Sequence, residues 1–277
     1  MSTAAKEQAY WAFRPLTPVE VPTRATNSWT RNAIDLFVLK NAGESQLSPN
    51  PSASRYSLIR RAYFDLIGLA PSRREVEDFI ANSSSDAYHQ LVSQLLSSPH
   101  YGERWGRHWL DVARFGESHG YESDNERPTA WTYRDAVIRA LNEDMPFDRF
   151  TQWQVAGDAL KGEDALAQAL TGFLTAGSTV TNVDGVDREK AMYDKMDDIV
   201  SATGSAFLGL TIGCARCHDH KYDPISQRDY YRLVGFFLPG KPADRDLPIG
   251  DKGNTVKALT WIGGNTRKNP LLGRGDV

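Results

Sequence analysis

The sequence predicts an all-α fold: a multi-helix domain with an extended N-terminal arm and a short irregular or β-like C-terminal tail. Apolar residues recur at helical spacing through most of the chain, and no period-two alternation with hairpin turns occurs before Gly240. Scale agrees with this. At 277 residues, with 40% hydrophobic and 24% charged side chains, the chain has ordinary globular usage and ample material for a core.

The arm, residues 1–25, is rich in Pro and aromatics (Tyr10, Trp11, Phe13, Pro15, Pro18, Pro22) and is expected to lie extended on the body. The helical domain, 26–240, opens with Ile34, Phe37 and Val38 at i, i+3, i+4. Ile59, Tyr63, Leu66 and Ile67 follow at i, i+4, i+7, i+8, and Tyr88, Leu91, Val92, Leu95 and Leu96 give the fullest stripe. Between these two lies Ser72-Arg73-Arg74-Glu75, a capping box behind Pro71. Helices are further expected over 103–115, 130–142, 146–154, 164–175 and 227–237, and Met192, Met196, Ile199 and Val200 mark another. From 241 to 277 Gly, Pro, Asn and Lys accumulate, with a β-like piece at 256–262. This reads as a linker or the start of a following domain.

Composition excludes several function classes. A net charge of −3 and a pI near 6.1 argue against a nucleic-acid or anionic-membrane binder. Two cysteines cannot staple a chain of this length, so it is not a disulfide scaffold. The longest apolar stretches, such as Ala206 to Ile212, fall well short of the ~18 residues a spanning helix needs. No apolar signal segment follows Met1, which taken literally implies a cytosolic protein. No Gly-rich phosphate loop, G-x-S-x-G elbow or basic stripe is present, and no catalytic residue is assigned.

The chemistry is concentrated in Cys214-Ala215-Arg216-Cys217-His218, a C-x-x-C-H string. In a c-type haem site the two thiols add across the haem vinyl groups and the histidine becomes the proximal iron ligand. Two cysteines placed at random in such a chain fall three apart in roughly 0.7% of arrangements, and a following histidine lowers this to roughly 2 in 10,000. Other chemistries remain open. Cys214, Cys217 and His220, with Asp219 or Asp223, offer a mononuclear Zn or Fe site. A redox dithiol and two plain structural cysteines complete the set.

The residues around the motif extend the pattern. Phe207-Leu208-Gly209-Leu210-Thr211 precedes it, and Asp219-His220-Lys221-Tyr222-Asp223-Pro224-Ile225 follows, then Gln227 and Asp229-Tyr230-Tyr231. Upstream stand Tyr10-Trp11-Ala12-Phe13, Arg60-Arg61, Phe64-Asp65-Leu66, Ser98-Pro99-His100-Tyr101-Gly102-Glu103-Arg104-Trp105, His108-Trp109-Leu110-Asp111, Arg127-Pro128, Tyr133-Arg134-Asp135 and Ala156-Gly157-Asp158. This collinear set, over roughly residues 9 to 240, resembles the planctomycete cytochrome c-type domain family of unknown function. The resemblance implies covalent haem c, attached through Cys214 and Cys217 and ligated by His218. It also implies a large exported protein of bacteria that degrade complex polysaccharides, with a second planctomycete-specific domain after this one. Leu272-Gly273-Arg274-Gly275-Asp276 resembles the entry to that domain. The expected setting is therefore periplasmic or extracellular, with this chain a part of a longer protein. Its expected partners are the neighbouring domains, a redox partner and possibly a polysaccharide.

A haem so held needs a second axial ligand or an open position. No methionine follows Cys214, so the layout of small mitochondrial-type cytochromes is impossible. The foremost candidates are His108, His119, His220 and Met196; Met145, Met192, His89 and His100 complete the set. An open sixth position would instead favour ligand-binding or peroxidase chemistry. The loop carrying Glu117, Glu122, Asp124 and Glu126 has the acidic density of a calcium site without EF-hand spacing. Carboxylates for glycoside hydrolysis are available in Asp111, Glu117, Glu122 and Asp135.

Overall fold

Helix starts in this chain are written in side chains that satisfy the free amides of a first turn. Ser54 opens α2 (Arg55–Leu66), Ser98 with Pro99 opens α5 (Pro99–Val112), and Asp164 opens α8 (Ala165–Leu170). Reciprocal capping boxes start α1 (Ala33–Glu44) at Asn32, α3 (Arg73–Ala81) at Ser72 and α10 (Gln227–Phe237) at Ser226. The remaining helices are α4 (Ala87–Leu96), α6 (Trp131–Asn142), α7 (Phe147–Leu160) and α9 (Arg188–Thr203). The computed structural model describes residues 13–23, 29–121, 124–180, 187–249 and 251–264. Among them the architecture is all-α, with one two-stranded antiparallel sheet near the C-terminus.

The helices build two separate cores. Ile59, Ala62, Tyr63, Ile67, Phe79, Ala87, Leu91 and Leu95 join α2, α3 and α4 into a small three-helix unit. The larger core gathers side chains from α6 to α10 and the hairpin, with Val137, Leu170, Phe173 and Ile199 fully enclosed. Helices α5 and α6 touch almost backbone to backbone. A Cβ on Gly102 would stand 2.5 Å from the Ile138 carbonyl oxygen, and the Gly102 amide donates to Asn142 Oδ1 at 2.8 Å. At the centre Trp109 Nε1 donates to Tyr133 Oη (3.0 Å) and to Gln154 Oε1 (2.9 Å), and Tyr133 donates to that same oxygen at 2.6 Å.

Two arginines tie the loops to the core. Arg127, only 6% exposed, donates to the carbonyls of Thr175 and Ala176 and so satisfies the end of the 3₁₀ turn Thr171–Thr175. Arg114 closes a bidentate pair with Asp198 of α9, at 2.6 and 2.8 Å.

Several expectations meet a different outcome. Residues 164–175 are α8 followed by 3₁₀, and the helix expected over 146–154 runs on to Leu160 past a non-helical Ala156. In α1 no residue is buried, and Ile34 and Val38 face solvent although their spacing is amphipathic. The arm was expected to pack on the body, yet residues 13–23 are exposed almost throughout, Leu16 completely. Tyr10 and Trp11 lie outside the described residues. In the tail, β1 (Lys241–Leu247) pairs antiparallel with β2 (Val256–Ile262), placing Lys241 opposite Ile262 and Leu247 opposite Val256. Leu247, Ala258 and Trp261 enter the large core, and the Trp261 amide donates to Thr171 Oγ1 at 2.9 Å. This hairpin packs on the helical body. No helix among the described residues is long and apolar enough to cross a membrane.

Candidate functional site

The C-x-x-C-H string begins in a 3₁₀ turn, Ile212–Arg216, that docks on α9 and α10. Side chains at i and i+3 eclipse in such a turn, so the sequence spacing sorts them onto two faces. Ile212 (4% exposed) and Ala215 (0%) point into the large core. Cys214 and Cys217 share the opposite face, both exposed and both free thiols, and His218 is exposed beside them.

The preceding residues make room for this docking. Helix α9 ends in a π-type turn, Gly204–Leu208, closed by Gly209 in the left-handed region (φ 65°). A Cβ on Gly204 would collide with Ile212 Cδ1, so glycine there is what lets Ile212 seat the turn.

Arg216 anchors the turn from within the motif. Its Nη2 lies 2.8 Å from Asp194 Oδ1 and its Nη1 3.4 Å from Asp197 Oδ2, both on α9. Its carbonyl accepts from Gln227 Nε2 (3.1 Å) and Tyr231 Oη (3.2 Å) of α10. Burial pushes the Asp194 carboxyl up, but Arg216 and Lys190 outweigh it and hold the group below the usual range. The sequence reading passed over Arg216 as a variable position. A usable signal existed in Asp194 and Asp197, an i, i+3 acidic pair on one face of a helix.

The two histidines of the motif have different environments. His218 Nδ1 donates to the Asp219 carbonyl at 2.8 Å, which leaves Nε2 as the acceptor nitrogen of a neutral ring. His220 is turned inward, its side chain 6% exposed. Its Nδ1 accepts from the amides of Asp223 (2.9 Å) and Tyr222 (3.3 Å) and so closes the Asp219–Ile225 loop. In that state Nε2 carries the proton, so His220 cannot ligate iron without giving up its loop contacts. Asp219 Oδ1 accepts from the Gln227 amide at 2.8 Å, fastening the same loop to the start of α10.

The other candidates are dispersed. His108 is exposed on α5 against Trp105, with ring centroids 5.5 Å apart, while its neighbour Trp109 turns inward. His100 pairs with Glu103 and His89 approaches Asp86, both at the surface. His119 lies in the loop after α5, its Nδ1 buried without a partner. Burial pushes its pKa down, and the charges of Arg127 and Lys195 push the same way, with Asp124 opposing. Met196 is a core residue of α9, 3% exposed. Of the acidic loop, Glu117 pairs with Arg134, Asp124 accepts from the Gly120 amide, and Glu122 lies outside the described residues. Among the described residues no three Cys, His, Asp or Glu side chains converge as a metal-holding group, and this includes the set Cys214, Cys217 and His220.

With the geometry of the turn established, its kinship can be stated. A model of the family described as PSCyt2, protein of unknown function (DUF1549), matches residues 33–241, well over half of the chain. The chain belongs to the PSCyt2 family. This is a planctomycete cytochrome-like domain family whose function is unknown. A search of curated proteins and a search of solved structures each returned no match. The PSCyt2 match takes in α1 to α10 and the C-x-x-C-H turn and ends where β1 begins.

The residues of this PSCyt2 turn suit a covalently held haem on three counts. Neither cysteine is in a disulfide, both are exposed, and the adjacent His218 is exposed with Nδ1, not Nε2, bonded to the Asp219 carbonyl. A mononuclear site would need these groups to converge with further ligands, and among the described residues no such group is found.

Proposed function

We propose that this chain is a haem c-carrying domain of an exported multidomain protein, serving electron transfer in support of polysaccharide breakdown. Cys214 and Cys217 hold the haem and His218 is its proximal ligand. The observation that carries this reading is that Ile212 and Ala215 of the Ile212–Arg216 turn are buried while Cys214, Cys217 and His218 are all exposed. The two thiols would hold the group through thioether bonds to its vinyl carbons. With Nδ1 donating to the Asp219 carbonyl, Nε2 is the nitrogen through which His218 would ligate the iron. Ile212, Ala215 and the Arg216–Asp194 pair hold the attachment points still, which limits reorganisation when charge changes nearby. When bound, haem supplies a one-electron couple between ferrous and ferric iron.

The test is maturation in the right compartment. The chain is to be exported into a periplasm equipped with a haem-attachment system, purified and extracted with acid and acetone. A Soret band that stays with the protein is expected, lost in the Cys214→Ser/Cys217→Ser double variant. Protein matured in this way and carrying no covalent haem would overturn the reading.

A further inference from the structure

A cleft of about 410 Å³ opens on the side of α9, between that helix, residues 178–180 and the start of β1. None of Cys214, Cys217 or His218 lines it, so it is distinct from the turn described above. Its wall is partly apolar, with Met192, Leu238, Pro239 and Trp261. Two carboxylates and three cations also line it, and their partners differ. Asp198 is committed to Arg114, and Asp194 to Arg216 and Lys190. Arg188, Lys195 and Lys241 form no ion pair among the described residues, so the uncompensated charge of the cleft is positive.

Lys195 is the unusual member. It stands three residues after Met192, on the same side of α9, and the residue is half-buried in the cleft wall. A half-buried lysine lays its apolar stem against the wall and favours an anionic partner for its head. Burial, with the nearby Arg127 guanidinium, pushes its pKa down to about 8, against the pull of Asp198. A cleft with an apolar wall and one poorly compensated, perturbed cation is the usual form of a small-ligand site.

We propose that this cleft binds a small organic anion with an apolar body. Its acid group pairs with Lys195 and its body lies against Met192, Leu238 and Trp261. The anion supplies the charge that Lys195 lacks, and the apolar body displaces water from the sulfur and indole surfaces.

The experiment uses two fluorescent probes on the whole chain: 8-anilinonaphthalene-1-sulfonate and its uncharged counterpart N-phenyl-1-naphthylamine. The sulfonate is expected to bind saturably and to lose at least tenfold in affinity in Lys195→Met, while the neutral probe changes less than twofold. Lys195→Arg keeps the charge and is expected to keep sulfonate binding, which separates loss of charge from loss of fold. Between pH 7 and 9.5 sulfonate affinity should fall in the native chain and not in Lys195→Arg. The charged and titratable groups around the amine are Asp194, Asp198 and Arg188 on α9, His119 and Arg127 on the preceding loop, and Lys241 on β1. All of them are retained in Lys195→Arg. Unsaturable sulfonate binding, equal affinity in Lys195→Met, or equal loss of both probes would each overturn the proposal.

Discussion

Arg216 shows how much a single side chain inside a motif can carry. Its guanidinium meets two α9 carboxylates and its carbonyl meets two α10 side chains, so the turn between the cysteines is clamped from both ends. Arg216→Met keeps the stem and removes the charge, leaving Asp194 and Asp197 facing each other across a helix turn. A loss of about 1–3 kcal/mol is expected, read as a lower urea midpoint at unchanged slope. Under the haem reading, the yield of covalent haem should drop as well, because the thiols no longer hold their register. At this scale the sequence was legible for Cys214, Cys217 and His218, whose spacing is local. It was silent on Arg216, whose partners lie on two other helices, on either side of it in the chain. Lys195 was missed although a signal existed: a lysine on a methionine stripe breaks the apolar pattern of a core-facing helix.

Elements were set by chemistry near their ends and by small residues where they meet. The capping boxes of α3 and α10 place Glu75 and Asp229 over their own N-cap amides. Hydrogen bonds from Ser72 and Ser226 hold both carboxyls below the usual range. A carboxyl whose folded pKa is depressed contributes stability above its unfolded value, and that contribution is lost as pH falls through the folded value. Stability should therefore decline as the pH drops below about 4. Glu75→Gln and Asp229→Asn should each flatten the decline in acid-titration melts. A different element-scale test concerns the docking of the 3₁₀ turn. Gly204→Ala places a methyl where Ile212 sits and is expected to cost about 1–3 kcal/mol through overpacking. Near-ultraviolet circular dichroism and covalent haem yield should both register it, while Gly209→Asn, at a left-handed position open to space, should cost less because asparagine tolerates that conformation better than other side chains. Periodicity located most of the helices, since burying one face of a helix needs only i, i+3, i+4 repetition. It could not see that the stretch after Leu170 tightens to 3₁₀, which depends on Arg127 arriving to donate to its closing carbonyls.

For the whole molecule the telling feature is the pair of cores. The unit of α2, α3 and α4 buries its own apolar residues and shares none of them with the large core. It should open as a sub-global unit below the global unfolding free energy. Leu91→Ala is expected to remove about 2–4 kcal/mol from that unit. Hydrogen exchange should then speed up in α2 to α4 and stay unchanged in α6, α8 and α9. Uniform acceleration across both cores would show one cooperative body instead. The hairpin belongs to the same scale. It lies almost wholly beyond the matched family span, yet Leu247, Ala258 and Trp261 complete the large core and Trp261 forms part of the cleft beside α9.

By itself the sequence determined the helical class, the capped start of α3 at Ser72, and the spacing that sets two cysteines beside a histidine. All of these are local: they depend on spacings of three or four residues, which backbone geometry turns directly into shared faces. Only the tertiary structure decided which face of the Cys214–Cys217 turn is open and that His220 is spent on its own loop. It also decided that Ile34 and Val38 stay at the surface, and that Lys195 and Trp261 line one cleft. Those outcomes depend on which distant groups come to cover each face, and burial of that kind is settled by packing between segments far apart in the chain.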